Sequence, residues 1–185
     1  MPRTARLTRD DWAAAALGAL ADGGVTAVAV EPVASRLGAS KSSFYWLFDD
    51  RQALLEAALE RWEQVQTEAV VARLPSIPDP VERLRYLIRN AFAATEGADL
   101  ALRLLTESAE PAVHEVAERV TRRRLAVIAG IFTDIGVPPC QARHYAAASY
   151  AVYLGTAALQ RVGAAPEDSD AYVETVMASF IPPRL

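Results

Sequence analysis

Cysteine is almost missing from this sequence: Cys140 is the only one in 185 residues. No internal disulfide can form, and no Cys/His spacing suits a structural zinc site. A reducing cytoplasm is therefore the expected compartment. Histidine is nearly as scarce, with two residues. No HExxH, paired Glu-x-x-His or P-loop glycine pattern occurs, so no metal, cofactor or catalytic residue is assigned. His114 lies near Glu110 and Glu118, but Pro111 is expected to start a helix between Glu110 and His114, which spoils a metal spacing. Long apolar runs are missing too. The longest uncharged apolar stretch, Tyr145 to Leu159, is short for a membrane span. Arg3 and Arg6 precede no apolar run, so no signal peptide is expected. Strand alternation and hairpin turns are absent, which points to an all-α chain.

What is present is globular in character: 52% hydrophobic and 23% charged residues. The length fits one or two small domains. The net charge is −4, but its distribution is uneven. Residues 1 to 48 carry one net positive charge and the remainder carries the negative excess. Of 19 basic residues only Lys41 is a lysine. It falls in the stretch around which the chain is organised.

That stretch is residues 30 to 55. Val33, Ala34 and Leu37 give a short helix an apolar face. Gly38 follows, where a left-handed residue commonly ends a helix. Ser40 suits the N-cap of the next helix. Phe44, Leu47 and Phe48 form an inward stripe at i, i+3, i+4. Lys41, Ser42, Ser43, Tyr45 and Trp46 are left largely for the outside. A cation, hydroxyls and two large aromatics suit phosphate oxygens, base edges and thymine methyls in a DNA groove.

The run Leu37-Gly38-Ala39-Ser40-Lys41, then Phe44-Tyr45-Trp46, Phe48, Arg51 and Ala53-Leu54-Leu55, resembles the helix-turn-helix of the TetR family of bacterial regulators. The likeness extends back through Leu7-Thr8 and Ala15-Ala16-Leu17 to Gly24 and covers roughly residues 7 to 60. It implies a three-helix DNA-binding domain over residues 1–50, with the motif at about 31–50. Residues 51–185 would then form a helical bundle for effector binding and dimerisation, in about nine helices overall. It also implies that the third helix enters the major groove, and that Tyr45 and Arg51 match phosphate-contacting positions. Ala29, Glu31 and Asp49-Asp50 depart from the usual pattern, which has hydroxyl, basic or neutral residues there. Thr26 is a substitute hydroxyl. Arg3 and Arg6 sit on an arm that suits phosphate or minor-groove contact.

The first helix is expected from Thr8, its N-cap, with Trp12, Ala16, Leu17 and Leu20 inward. The fourth runs from about Arg51 to Arg73, long enough to link the two domains, and Asp49-Asp50 should cap it. A fifth follows Asp79. Gly97 is expected to separate it from a sixth, Asp99 to Glu107. Pro111, Pro138-Pro139 and Asp168 or Ser169 open the seventh, eighth and ninth, the last ending at Pro182. Arg122-Arg123-Arg124 reads as a solvated or salt-bridged face, because successive helical residues point different ways.

The eighth and ninth helices are apolar on more than one face, which needs two partners. A second copy of the chain is the expected one, and the resemblance implies the same pairing. Ala147, Ala151, Leu154, Gly155, Ala158, Val173, Val176, Met177 and Phe180 are the candidates for this homodimer interface. The resemblance also implies an effector pocket among the bundle helices, for which Tyr86, Phe92, Arg103, Glu107, His114, Tyr150 and Tyr153 are the polar or aromatic candidates. The function expected is a ligand-responsive repressor that binds a palindromic double-stranded operator as a dimer, with a small-molecule effector and no membrane partner. The alternatives are an activator of the same fold, or an all-α carrier or enzyme that has lost DNA binding.

Overall fold

The structure, a computed structural model, describes residues 6–93, 95–106 and 109–181. These form helices and turns only. The helices are α1 (Arg9–Gly23), α2 (Val30–Leu37), α3 (Lys41–Tyr45), α4 (beginning with Arg51–Glu63), α5 (Pro80–Ala93), α6 (Thr95–Thr106), α7 (Pro111–Ile135), α8 (Pro139–Arg161) and α9 (Ser169–Phe180). Their starts follow the capping chemistry of the sequence. Thr8 and Asp11 close a capping box, in which the Asp11 N–H donates to Thr8 Oγ1 at 3.2 Å and Thr8 N–H donates to Asp11 Oδ2 at 2.8 Å. Asp50 and Asp168 accept the N–H groups of Ala53 and Ala171 at 2.8 and 2.9 Å. Pro111 and Pro139 stand at the starts of α7 and α8, where a missing N–H costs nothing.

Two apolar cores sit at the two ends of α7. The first joins Trp12, Ala16 and Leu20 of α1 to Val33, Phe44 and Phe48, and to Leu54, Leu55, Ala58, Leu59 and Trp62 of α4. It continues without a break into Leu100, Ala101 and Leu104 of α6 and Val113, Ala117 and Val120 of α7. The second gathers Leu74 from the short turn Leu74–Ser76, Leu84 and Ile88 of α5, Ile131 and Phe132 of α7, Ala142 of α8, and Val173, Val176 and Met177 of α9. α7 packs along α8, and α4 lies against both α1 and α7. α4 thus packs on the N-terminal helices and on the bundle alike.

Two sequence expectations change here. Gly97 does not break a helix. It lies inside α6, where a Cβ would come within 2.6 Å of Gln66 Oε1. The helix continues through the glycine, whose missing Cβ leaves room for the Gln66 side chain, so a local breaker signal is overruled by context. The fourth helix is also not uniform. After Glu63 it widens into a π-helical turn, Gln64–Glu68, before the α-turn Ala69–Val71. Residues 64 to 68 contain no glycine or proline to announce it.

Candidate nucleic-acid interface and interior cavity

The helix-turn-helix is set by three local devices. Gly38 ends α2 in the left-handed region at φ 61, a conformation its lack of Cβ permits. Ser40 accepts the Ser43 N–H at 3.3 Å. Phe44 is fully buried, stacked on Phe48 at 5.4 Å and tilted against Trp12 at 5.5 Å. Anchoring α3 through Phe44 turns the neighbouring side chains outward. Tyr45 is 64% exposed and Trp46 79% exposed. Two large aromatics side by side in water forgo roughly 1.5–3 kcal/mol each of possible burial, so this face is the strongest candidate for a partner.

Lys41 is exposed and ion-paired with Glu31 of α2. The bond and charge of Glu31 raise the Lys41 ammonium above its ordinary range and hold the Glu31 carboxyl below its own. Ser42 is exposed, its Oγ 2.8 Å from Ser40 Oγ. Ser43 is half-buried and donates its hydroxyl to the Ser40 carbonyl at 2.6 Å. Thr26 is exposed, with its hydroxyl 3.4 Å from the Gly23 carbonyl. Arg6 is exposed ahead of α1, and Arg3 lies outside the described residues. Arg51 departs from the expectation. Its guanidinium turns inward and donates to the Val25 carbonyl at 2.6 Å, bracing the turn between α1 and α2. Arg9, not singled out from sequence, does similar work. It donates to the Leu47 carbonyl at 3.0 Å and lies over the Phe48 ring at 4.4 Å.

A cavity of about 110 Å³ opens among α4, α5, α7 and α8. Its walls are mostly aliphatic, including Val70, Leu84, Leu87, Ile88, Val127 and Ile128, with Gln66, Thr67, Asn90, Arg124, Ser149, Tyr150 and Tyr153 as polar groups. Of the sequence candidates, Tyr150 and Tyr153 line it, their rings 5.5 Å apart. The others do not. Tyr86 and Phe92 pack against the second core, with Phe92 on Tyr172 at 5.0 Å. Arg103 is ion-paired with Asp99 at 3.0 Å. His114 is exposed on the first turn of α7, and Glu107 lies outside the described residues. Arg124 was missed. The run Arg122-Arg123-Arg124 is a salt-bridged face only for its first two members, which pair with Glu118 at 3.5 Å and Glu68 at 3.0 Å. Arg124 is half-buried and belongs to the cavity wall. Burial pushes the Tyr153 phenol up, while the Arg124 charge and hydrogen bond oppose that shift.

Ala147, Ala151, Gly155 and Ala158 lie exposed along α8, with Leu154 half-buried beside them. The α9 candidates divide differently. Val173, Val176 and Met177 are buried in the chain's own second core, and Phe180 is half-buried against it. Their apolar surface is already used inside the subunit. The exposed residues of α9 are Ser169, Asp170, Ala171, Glu174, Thr175, Ala178 and Ser179 instead. Among the described residues no helix is long and apolar enough to cross a membrane.

Residues 13–58 match the family model of bacterial regulatory proteins, tetR family. No curated protein matches the sequence. Among solved structures, a TetR transcriptional regulator from Legionella pneumophila superposes with a TM-score of 0.82 at 14% identity, covering 98% of this chain and 100% of that one. A putative transcriptional regulator from Saccharomonospora viridis, solved in complex with choline, gives 0.76 at 22% identity, with 91% and 92% covered. AibR, solved in complex with isovaleryl coenzyme A and operator DNA, gives 0.68 at 15% identity, with 94% and 100% covered. At these identities the superpositions establish the shared fold. The family match itself lies on the helix-turn-helix region, residues 13–58, so the likeness to the tetR family is one of sequence there and of fold over the whole chain.

Proposed function

We propose that the chain is a ligand-responsive repressor that binds a palindromic operator as a homodimer and leaves it when a small molecule fills the cavity among α4, α5, α7 and α8. The observation that carries this reading is the outward pair Tyr45 and Trp46 beside Lys41, on a helix whose inner side is fixed by Phe44. Lys41, Ser42, Tyr45, Trp46 and Thr26 are the proposed DNA contacts, with Arg6 on the adjoining arm. One such helix reads too few bases, and a dimer places two of them roughly 34–36 Å apart in successive major grooves. The exposed small residues Ala147, Ala151, Gly155 and Ala158 support close packing of α8 against a second copy.

The cavity supports the effector half of the proposal. Its wall includes Gln66 and Thr67 of α4, the same helix whose first turns pack on α1. An occupant that favours one position of α4 shifts the spacing of the two reading helices by its difference in affinity for the two states. The relatives solved with choline, or with isovaleryl coenzyme A and operator DNA, are consistent with a ligand-responsive reading. The test is a band-shift titration against the intergenic DNA beside the protein's own gene, at two salt concentrations with competitor DNA. Saturable, competitor-resistant binding to a short palindrome is expected. Weak binding that vanishes with salt and shows no preferred sequence would reject the reading.

A further inference from the structure

We infer that the cavity takes an apolar molecule ending in a single carboxylate, with Arg124 as the group that receives the carboxylate. The inference rests on the reading that the cavity binds an effector and names the effector's chemical class. Four arginines cluster on the middle turns of α7. Arg119 pairs with Glu63 at 2.6 Å, Arg122 with Glu118 at 3.5 Å and Arg123 with Glu68 at 3.0 Å. Arg124 has no carboxylate within 4.0 Å among the described residues. Its guanidinium donates from Nε to Thr67 Oγ1 at 2.9 Å and from Nη2 to the Gln66 carbonyl at 3.2 Å. It lies over the rings of Trp62 and Tyr153, 5.3 and 5.8 Å from their centroids.

All of these partners are neutral. A half-buried cation held by neutral dipoles and ring faces is hydrogen-bonded but not charge-compensated. A carboxylate offers a planar, two-point acceptor that matches the guanidinium fork, and charge-assisted bonds of this kind are about twice as strong as neutral ones. One fixed cation suits one negative charge, so a dianionic phosphate is disfavoured. The aliphatic remainder of the wall, from Val70 to Ile128, suits an alkyl or aryl body. The present acceptors of Arg124, Gln66 O and Thr67 Oγ1, both belong to the π-helical turn of α4. A carboxylate that draws the guanidinium away releases that turn, and π-turns recur where a helix is adjusted for function.

Isothermal titration of the full chain with octanoate and with octan-1-ol, which share a chain length and differ in charge, tests the assignment. Octanoate is expected to bind about tenfold tighter or more, the usual margin of a hydrogen bond to a charged partner. Arg124→Gln should abolish that preference and leave octan-1-ol binding within about twofold, which also shows the pocket intact. Equal binding of the two probes by the unmodified protein overturns the inference. So does a preference that survives R124Q, or binding of neither probe by folded protein. Band shifts on the same samples separate the two readings. Loss of operator binding with the octanoate preference intact would sink the regulator and leave the anion site standing.

Discussion

Replacing Glu31 with glutamine should tighten DNA binding and make it more sensitive to salt. Glu31 holds the ammonium of Lys41, the only lysine of the chain, in an ion pair on the exposed side of the helix-turn-helix. Lys41 must leave that partner, or share it, to meet a phosphate. Glu31→Gln removes the competing acceptor and a negative charge from the DNA side. Each added cation–phosphate contact steepens the slope of log K against log salt by about 0.9, so about 1.8 for a dimer. Between roughly 50 and 200 mM salt the variant should therefore lose about tenfold more affinity than the unmodified protein, starting from tighter binding. Fluorescence anisotropy with labelled operator at four or more salt concentrations measures both. The pH dependence has a definite sign. The Glu31 carboxyl is lowered from its usual 4.5, first by the Lys41 hydrogen bond and then by its charge. The pair is present above that value and is lost as pH falls through the lowered one. Unmodified protein and E31Q should differ throughout the neutral range and converge only in acid. Identical slopes and affinities at neutral pH would refute the idea that Lys41 reaches a phosphate.

Other outcomes follow from local chemistry. Thr8→Ala removes one side of the capping box of α1 and should cost about 1 kcal/mol in urea unfolding; no change would mean that the Asp11 bonds suffice alone. Tyr153 is raised above the ordinary tyrosine value of 10.0, chiefly by burial, so the folded chain keeps that proton longer than the unfolded one. Stability should be undiminished by this group below pH 10.0 and fall as pH rises from there through the raised value, with tyrosinate absorbance lagging that of a Tyr153→Phe control. Ala151→Glu places a charge on the exposed face of α8. Sedimentation should then give a monomer with unchanged helical content, whereas a persistent dimer would move the proposed interface elsewhere.

Much of this fold is legible in the sequence because its local signals agree with its packing. The caps Thr8, Ser40, Asp50 and Asp168, the left-handed Gly38 and the buried Trp12, Phe44 and Leu20 all stand where composition and spacing put them. The failures share a cause, which is that tertiary contacts are invisible in one strand of sequence. Gly97 reads as a break but lies inside α6, beside the Gln66 side chain. Arg51 matches a phosphate-contacting position in the resemblance, but its guanidinium donates to the Val25 carbonyl. Val173, Val176 and Met177 form an apolar stripe that suits a partner and the chain's own core alike, and the core claims it. Arg124 was legible in principle. Val113, Ala117, Val120, Arg124, Val127 and Ile131 recur at intervals of three and four, which sets Arg124 on the inner stripe of α7 rather than on its charged face. The three consecutive arginines concealed that periodicity.

In the proposed function, DNA is read by the face that Phe44 turns outward. Operator titration of Tyr45→Ala and Trp46→Ala beside the unmodified protein tests it most directly, with circular dichroism to confirm folding. Both side chains are exposed, and Tyr45 meets the first core only through an edge-on ring contact with Phe44 at 5.1 Å, so thermal stability should hold within about 1 kcal/mol. Operator affinity should fall about tenfold or more for at least one of them, by the usual cost of a lost specific contact. Affinity unchanged in both variants, with folding intact, would contradict the account and move the reading surface away from α3.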